Sequence, residues 1–366
     1  MAMIHQQPLL WEYIMSGLKL KNRIVMAPMT RSRADNPEHT PTDLHVQYYA
    51  QRASAGLMIT EGSQISTRAV GYLHTPGMYS LPQIEGWKRV TRAVHDAGGH
   101  IFAQLWHVGR ISHPDFHGGE LPLAPSAVNP TVKVRTQLGT RETVTPKAIT
   151  FEEIQQTVSD FQHAAQHAVE AGFDGVEIHS SNGYLLHQFF NRCSNVRTDQ
   201  YGGSIENRAR ILFEIINALR TVMPEHRIAL RLNPSLHGAS GMTVDEETIP
   251  TFDYIIERLN QYALAYLHLS EPFTDVAHVP FTEPNIAQRY RPIFKGTLMI
   301  NNKFDREKGN AIIEEGLADL VSFGKPFISN PDLPRRFELN AELAPWNQST
   351  FYTQGAAGYI DYPKVT

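Results

Sequence analysis

Eight times along this 366-residue chain, a strand-length apolar run ends in polar or glycine residues and gives way to a longer amphipathic stretch. The runs cover residues 24–26, 57–60, 101–105, 175–178, 228–232, 266–269, 298–300 and 320–323. Stretches with helical periodicity follow at 43–54, 84–97, 151–171, 205–222, 245–261, 283–289, 306–315 and about 331–339. Strand alternating with helix eight times predicts parallel strands closed into a (β/α)8 TIM barrel of class α/β. The competing architecture is an open doubly wound sheet, which wants a Gly-x-Gly-x-x-Gly turn after an early strand. The chain has none.

Local punctuation agrees with this reading. Thr150 and Glu153 form a capping box before one helix, and Gly172 stops it. Residues 9–21 read as a hairpin turning at Ser16-Gly17, placed under the lower end of the barrel. Residues 111–149, rich in Pro, Gly, Asn and Thr, form a long insertion after the third strand, and insertions of that size are commonly binding loops or lids. No linker or low-complexity tract interrupts the alternation, so residues 1–366 read as one domain.

Composition narrows the function classes. No segment approaches the ~20 apolar residues needed to span a bilayer, and the N-terminus lacks a basic start and an apolar centre. A cytoplasmic protein is expected, as a monomer or homodimer. The net charge of −4, without a basic tract, points to neither nucleic acid nor a membrane surface. Cys193 is the single cysteine, so internal disulfides and cysteine-based metal sites are out, and redox chemistry would require a cofactor. Seventeen histidines include no His-Glu-x-x-His pattern, and no metal site is expected.

In barrel enzymes the site lies at the C-terminal ends of the strands, so the residues leaving each run matter most. They are Ala27, Pro28, Met29 and Thr30; Gly62 after Glu61; Gln104 and Trp106; His179, Asn182 and Tyr184; Arg231; Asn302 and Lys303; Gly324 and Lys325. His179 and Asn182 could grip one oxygen, and Tyr184 could give a proton to a neighbouring atom. A hydride-handling flavin needs polar partners round its pyrimidine, a positive charge near N1 and C2=O, and a phosphate cradle. Thr30, Gln104 and Arg231 supply the first two, and Lys303, Gly324 and Lys325 the third. A plainer reading stands beside this one. Gln104 and Arg231 could be buried groups paired with Glu61 or Glu177, Trp106 could be core, and Thr30 could cap a turn.

Six stretches bear on the choice: residues 22–31, 59–62, 104–110, 176–208, 327–333 and 358–363. The fourth includes the run Arg197-Thr198-Asp199-Gln200-Tyr201-Gly202-Gly203-Ser204-Ile205-Glu206-Asn207-Arg208. In order and spacing these closely resemble the old yellow enzyme family of flavin-dependent ene reductases. The resemblance is to the branch with threonine at position 30, not to the thermophilic-like branch with cysteine.

The resemblance implies tightly bound FMN, with Thr30 at the flavin C4 oxygen and Gln104 and Arg231 at the pyrimidine edge. It implies that His179 and Asn182 bind the substrate oxygen, that Tyr184 is the proton donor, and that Tyr72, Trp106 and Tyr352 line the substrate cavity. NADPH or NADH would supply hydride, and small activated alkenes would accept it. Alternatives are an enzyme acting mainly on nitrate esters, nitroaromatics or quinones, a metal-dependent barrel hydrolase, and a non-catalytic binding barrel. Two loops depart from the family pattern: Asn301-Asn302-Lys303-Phe304 replaces an Ala-Gly-Gly-Tyr type, and Gly324-Lys325 replaces Gly-Arg.

Overall fold

A computed structural model describes residues 7–365. Eight strands form its centre: β1 (Ile24–Met26), β2 (Leu57–Ile59), β3 (Ile101–Trp106), β4 (Gly175–His179), β5 (Ile228–Leu232), β6 (Leu267–Ser270), β7 (Leu298–Asn301) and β8 (Leu320–Phe323). Each pairs in parallel with the next, and β8 pairs back onto β1, which closes the barrel. All eight expected strands are present.

Side chains two residues apart on a strand point the same way, so each strand serves two cores. Outward residues such as Ala103, Leu105, Val176, Ile178, Leu230 and Val321 join helix residues such as Trp87, Val90, Phe161 and Ile215 in one cluster. Inward residues Val25, Leu57, Ile59, Phe102, Ala229, Tyr266, Met299 and Leu320 form a second. The hairpin of Tyr13–Met15 and Leu18–Leu20 closes this inner core from below with Met15 and Leu20. Ser16 (φ 48°) and Gly17 (φ 87°) both take left-handed backbone, as the tight turn between such strands requires.

One step up the barrel the inward residues turn polar. Gln104 follows Phe102, Arg231 follows Ala229, His268 follows Tyr266, Asn301 follows Met299 and Ser322 follows Leu320, with Glu177 level with Gln104 on β4. The lower barrel is hydrocarbon and the upper barrel is a polar belt opening at the mouth.

The helices are α1 (Asp43–Gln51), α2 (Leu81–Asp96), α3 (Phe151–Glu170), α4 (Leu185–Phe190), α5 (Ile205–Leu219), α6 (Thr248–Leu259), α7 (Ile286–Tyr290), α8 (Arg306–Glu314), α9 (Lys325–Ser329) and α10 (Leu333–Leu339). α2 starts three residues before its expected position because Ser80 and Gln83 form a capping box with Pro82 inside it. The insertion after β3 contains an antiparallel hairpin, Lys133–Thr136 with Gly139–Glu142, and a short parallel pair, Leu123–Ala124 with Lys147–Ala148.

The C-terminal segment is tied to the barrel by three buried arginines. Arg31 donates to the carbonyls of Phe351 and Gly358, Arg33 to those of Thr350, Phe351 and Ala357, and Arg52 to those of Phe327, Ile328 and Tyr359. These bonds carry Tyr352 to the rim of the barrel mouth.

Candidate active site

The exit from β4 places three of the expected site residues together. Asn182 (φ 59°) and Gly183 (φ 83°) are consecutive left-handed residues, and they fold the chain back sharply after His179. A side chain at Gly183 would meet Ser240 Cβ at 2.5 Å, so only glycine fits there. The His179 ring then lies 5.0 Å from the Tyr184 ring, at 89°. Gln188 on α4 holds the turn, donating to the Gly183 and Val108 carbonyls and accepting from Arg110 N, which joins it to the loop leaving β3.

His179 is neutral, because burial and then the nearby Arg231 charge push its pKa well below the ordinary histidine value. The backbone N–H of Ser181 points at His179 Nδ1 (3.4 Å), so the proton sits on Nε2, available as a donor. Asn182 Oδ1 is buried with no protein partner. A neutral imidazole donor and an amide whose oxygen is uncommitted therefore leave the same strand end three residues apart.

Aromatic rings wall this corner. Trp106 stacks on His179 (6.0 Å, 17°) and meets Tyr184 edge-on (5.0 Å, 76°), and Tyr72 packs on Trp106 at 5.0 Å. The hydroxyls of Tyr72 and Tyr184 are hydrogen-bonded at 2.8 Å. Burial, reinforced by Tyr72, raises the Tyr184 pKa well above that of a free phenol, so the group keeps its proton. Tyr72 and the exposed Tyr352 line a cleft of about 730 Å³ whose outer wall includes Lys133 and Arg135 of the insertion hairpin.

Gln104 and Arg231 lie in the polar belt at the mouth, and part of the plainer sequence reading holds. Gln104 Nε2 donates to Glu177 (2.8 Å), His268 Nδ1 meets the other Glu177 oxygen (2.8 Å), and His268 Nε2 meets Ser322 Oγ (2.8 Å). Arg231 donates to Asn301 Oδ1 (2.9 Å) and keeps Nε without a partner. Glu61 is not part of this network. It accepts from Arg31 N and faces His45 at 3.8 Å. The sequence reading did not single out His268 and Ser322. The available signal was that both interrupt apolar strands two residues after a large inward apolar side chain.

The remaining expected cofactor residues flank the seam where β8 meets β1. Ala27 N donates to Phe323 O (3.1 Å), and a Cβ on Gly324 would sit 3.7 Å from Met29 Sδ, so the Ala27–Thr30 exit and the Gly324 loop adjoin. Pro28, Met29 and Thr30 are partly exposed there. Gly62 backs onto the Trp106 ring, which a Cβ would meet at 2.5 Å. Asn302 (φ 81°) and Lys303 (φ 62°) are both left-handed, and Asn302 Nδ2 holds the loop by donating to the Glu271 and Pro272 carbonyls. Lys303 and Lys325 are exposed, with Lys325 Nζ 5.7 Å from the Trp346 ring centre.

This donor set suits a flavin nucleotide: an amide and a guanidinium at one edge, two exposed lysines, one of them in a left-handed loop, at the other, and an oxygen-binding pair under aromatic cover. Among the described residues, no three His, Cys, Asp or Glu side chains converge as metal ligands, and no helix is long and apolar enough to cross a membrane. Barrel and mouth together define a flavin-dependent oxidoreductase of the old yellow enzyme type. The chain belongs to the NADH:flavin oxidoreductase / NADH oxidase family, whose sequence profile matches residues 14–344.

It is 41% identical over 360 residues to 12-oxophytodienoate reductase 1 of Oryza sativa subsp. japonica, covering 97% of this chain and 93% of that one. The solved structure of morphinone reductase superposes with a TM-score of 0.92 at 42% identity, covering 99% of this chain and 97% of that one. An old yellow enzyme homologue from Zymomonas mobilis gives 0.92 at 40% identity, covering 97% and 99%.

Proposed function

We propose that this protein is an FMN-dependent NAD(P)H oxidoreductase that reduces the activated double bond of α,β-unsaturated carbonyl compounds or nitroalkenes. The observation that carries this reading is the corner built by His179, Asn182 and Tyr184, where two oxygen-binding groups stand beside a protonated phenol. FMN, when bound at the mouth, would take hydride from NADPH or NADH and pass it to the substrate's β-carbon. A complex of morphinone reductase with tetrahydroNAD supports a nicotinamide donor.

Gln104 and Arg231 would hold the pyrimidine edge, with the guanidinium charge favouring the reduced, anionic ring. Thr30 would meet the C4 oxygen, with the backbone from Ala27 to Met29 and Gly62 alongside. Lys303 and Lys325 would share the phosphate with the Asn302 and Gly324 loops, as point charges in place of a bidentate arginine.

His179 Nε2–H and the Asn182 amide would donate to the substrate's carbonyl or nitro oxygen. Their hydrogen bonds strengthen as negative charge grows on that oxygen, which is where the acceleration arises. Trp106, Tyr72 and Tyr352 would exclude water and pin the alkene. Tyr184 Oη would then deliver its proton to the α-carbon.

The Tyr72 hydroxyl gains a role here. Once Tyr184 turns its O–H toward substrate, Tyr72 can only donate to Tyr184 Oη, and it thereby steadies the phenolate that forms. Replacing Tyr72 with Phe is expected to slow alkene reduction about tenfold, the worth of one hydrogen bond to a charged oxygen. Hydride uptake from nicotinamide should be unchanged, as stopped-flow measurement of each half-reaction would show.

The reading as a whole is tested by the visible spectrum of the purified protein before and after adding a phenol, with the cofactor identified after heat release. A yellow protein that releases FMN and gains a long-wavelength charge-transfer band is expected. A colourless protein that FMN cannot reconstitute would overturn the cofactor assignment.

A further inference from the structure

We propose that Glu177 is a positioning residue for the cofactor's pyrimidine edge: by accepting the Gln104 amide N–H, it turns the Gln104 carbonyl oxygen toward the mouth to receive an imide N–H. The inference rests on the FMN reading above and deepens it.

A carboxylate can only accept, so the Gln104 amide has one favourable orientation against it. Gln104 Nε2 lies 2.8 Å from Glu177 Oε1, and the reversed amide would set carbonyl oxygen against carboxylate oxygen. Glu177 has no freedom to turn away. Its Oε2 takes the Nδ1 proton of His268 at 2.8 Å, and His268 Nε2 accepts from the Ser322 hydroxyl at 2.8 Å. The Gln104 backbone is pinned as well, its N–H donating to Thr60 Oγ1 at 3.0 Å.

Gln104, Glu177, His268 and Ser322 are all at most 2% exposed, so water does not compete for these bonds. The Gln104 carbonyl oxygen accepts no hydrogen bond among the described residues. An acceptor and the Arg231 cation thus stand at one edge of the mouth. That pair complements a ring carrying an N–H donor beside an oxygen that becomes negative on reduction. Glu177 is also the anion nearest Arg231 in the belt, so it tempers the positive charge that the reduced ring would meet.

The test uses Glu177→Gln and Glu177→Asp in the full-length protein, reconstituted with FMN, with unfolding of the apoprotein as a control for stability. In Glu177→Gln the new amide brings its own N–H toward Gln104, which relieves the clash by turning over, unless His268 moves its proton to Nε2 and takes that N–H on Nδ1 instead. The FMN dissociation constant should rise about tenfold, as for one lost hydrogen bond. The midpoint potential of the bound flavin should move positive, because the buried negative charge is gone. Glu177→Asp draws the carboxylate back from Gln104 but keeps its charge. It should weaken FMN binding comparably while moving the potential less.

A folded Glu177→Gln protein that binds FMN as tightly as wild type, at the same potential, overturns the proposal. Should neither variant fold, wild-type apoprotein can be reconstituted with FMN methylated at N3. Binding at least about tenfold weaker is expected, and equal binding overturns the proposal. Wild-type protein unable to bind FMN at all would overturn the cofactor reading and this inference together.

Discussion

Replacing Tyr184 with Phe is expected to slow alkene reduction by about 10²- to 10⁴-fold, the usual range for a lost general acid, while flavin reduction by nicotinamide stays within about twofold of wild type. The change removes one oxygen and keeps the ring that packs against Trp106 and His179. Substrate grip by His179 and Asn182 is untouched, so substrate binding should change little. Nor should pH mask the effect, since the raised pKa of Tyr184 keeps the phenol protonated through neutral and mildly alkaline conditions. Separate stopped-flow traces for the two half-reactions decide the matter. Equal slowing of both would remove Tyr184 from the proton-donor role.

Mild acid is expected to destabilise the fold by roughly 2 to 4 kcal/mol between pH 7 and pH 5.5, from linkage to buried groups. Burial holds His45, His107 and His187 at about 3, against 6.5 for a free histidine. Below about pH 6.5 the unfolded chain binds protons that these three sites refuse, so stability is lost as pH falls. Each contributes on the order of 1 kcal/mol over this window. Glu61 works in the opposite sense. Burial pushes its carboxyl up to about 7, so the folded protein takes up that proton first and recovers an amount comparable to one histidine's loss. The depressed carboxylates Asp174 and Glu177 matter only below their unfolded values, outside the window. His179 and His268 are also depressed and add to the loss. Denaturant unfolding at the two pH values, at fixed ionic strength, measures the net effect. Stability that holds or rises toward pH 5.5 would falsify the account.

The barrel was legible because its strands are short apolar runs whose polar exits all lie at one end. What escaped the reading has local causes. All six residues of α4 are buried, so no polar face marks it as a helix. α9 is a single turn between Gly324 and Asn330. α7 begins later than its pattern suggests, because Glu271, fifteen residues earlier, accepts from Ile286 N and Ala287 N and fixes its first turn. The second strand of the insertion hairpin, Gly139–Glu142, is exposed at every residue, which leaves no alternation to read there.

In the site, His179, Asn182, Tyr184, Gln104 and Arg231 could be named from strand ends and motif. The bond between Tyr72 and Tyr184 could not, since 112 residues separate the partners. The left-handed backbone at Asn302 and Lys303 was signalled, since these two residues stand where the family pattern has Gly-Gly.

The arginine clamp on the C-terminal segment grips main-chain carbonyls in residues 350–359 almost exclusively. At Tyr352, whose side chain takes no part in it, such a fastening is indifferent to what is displayed. Tyr352 can therefore be rewritten without loosening its anchorage, whereas Thr353, which accepts from Arg33, Gln354, which donates to the Ser32 carbonyl, and the three arginines cannot. A lip over the catalytic mouth that can change its face while keeping its hinge pins gives selection, natural or in the laboratory, a place to retune substrate choice at little risk to the fold.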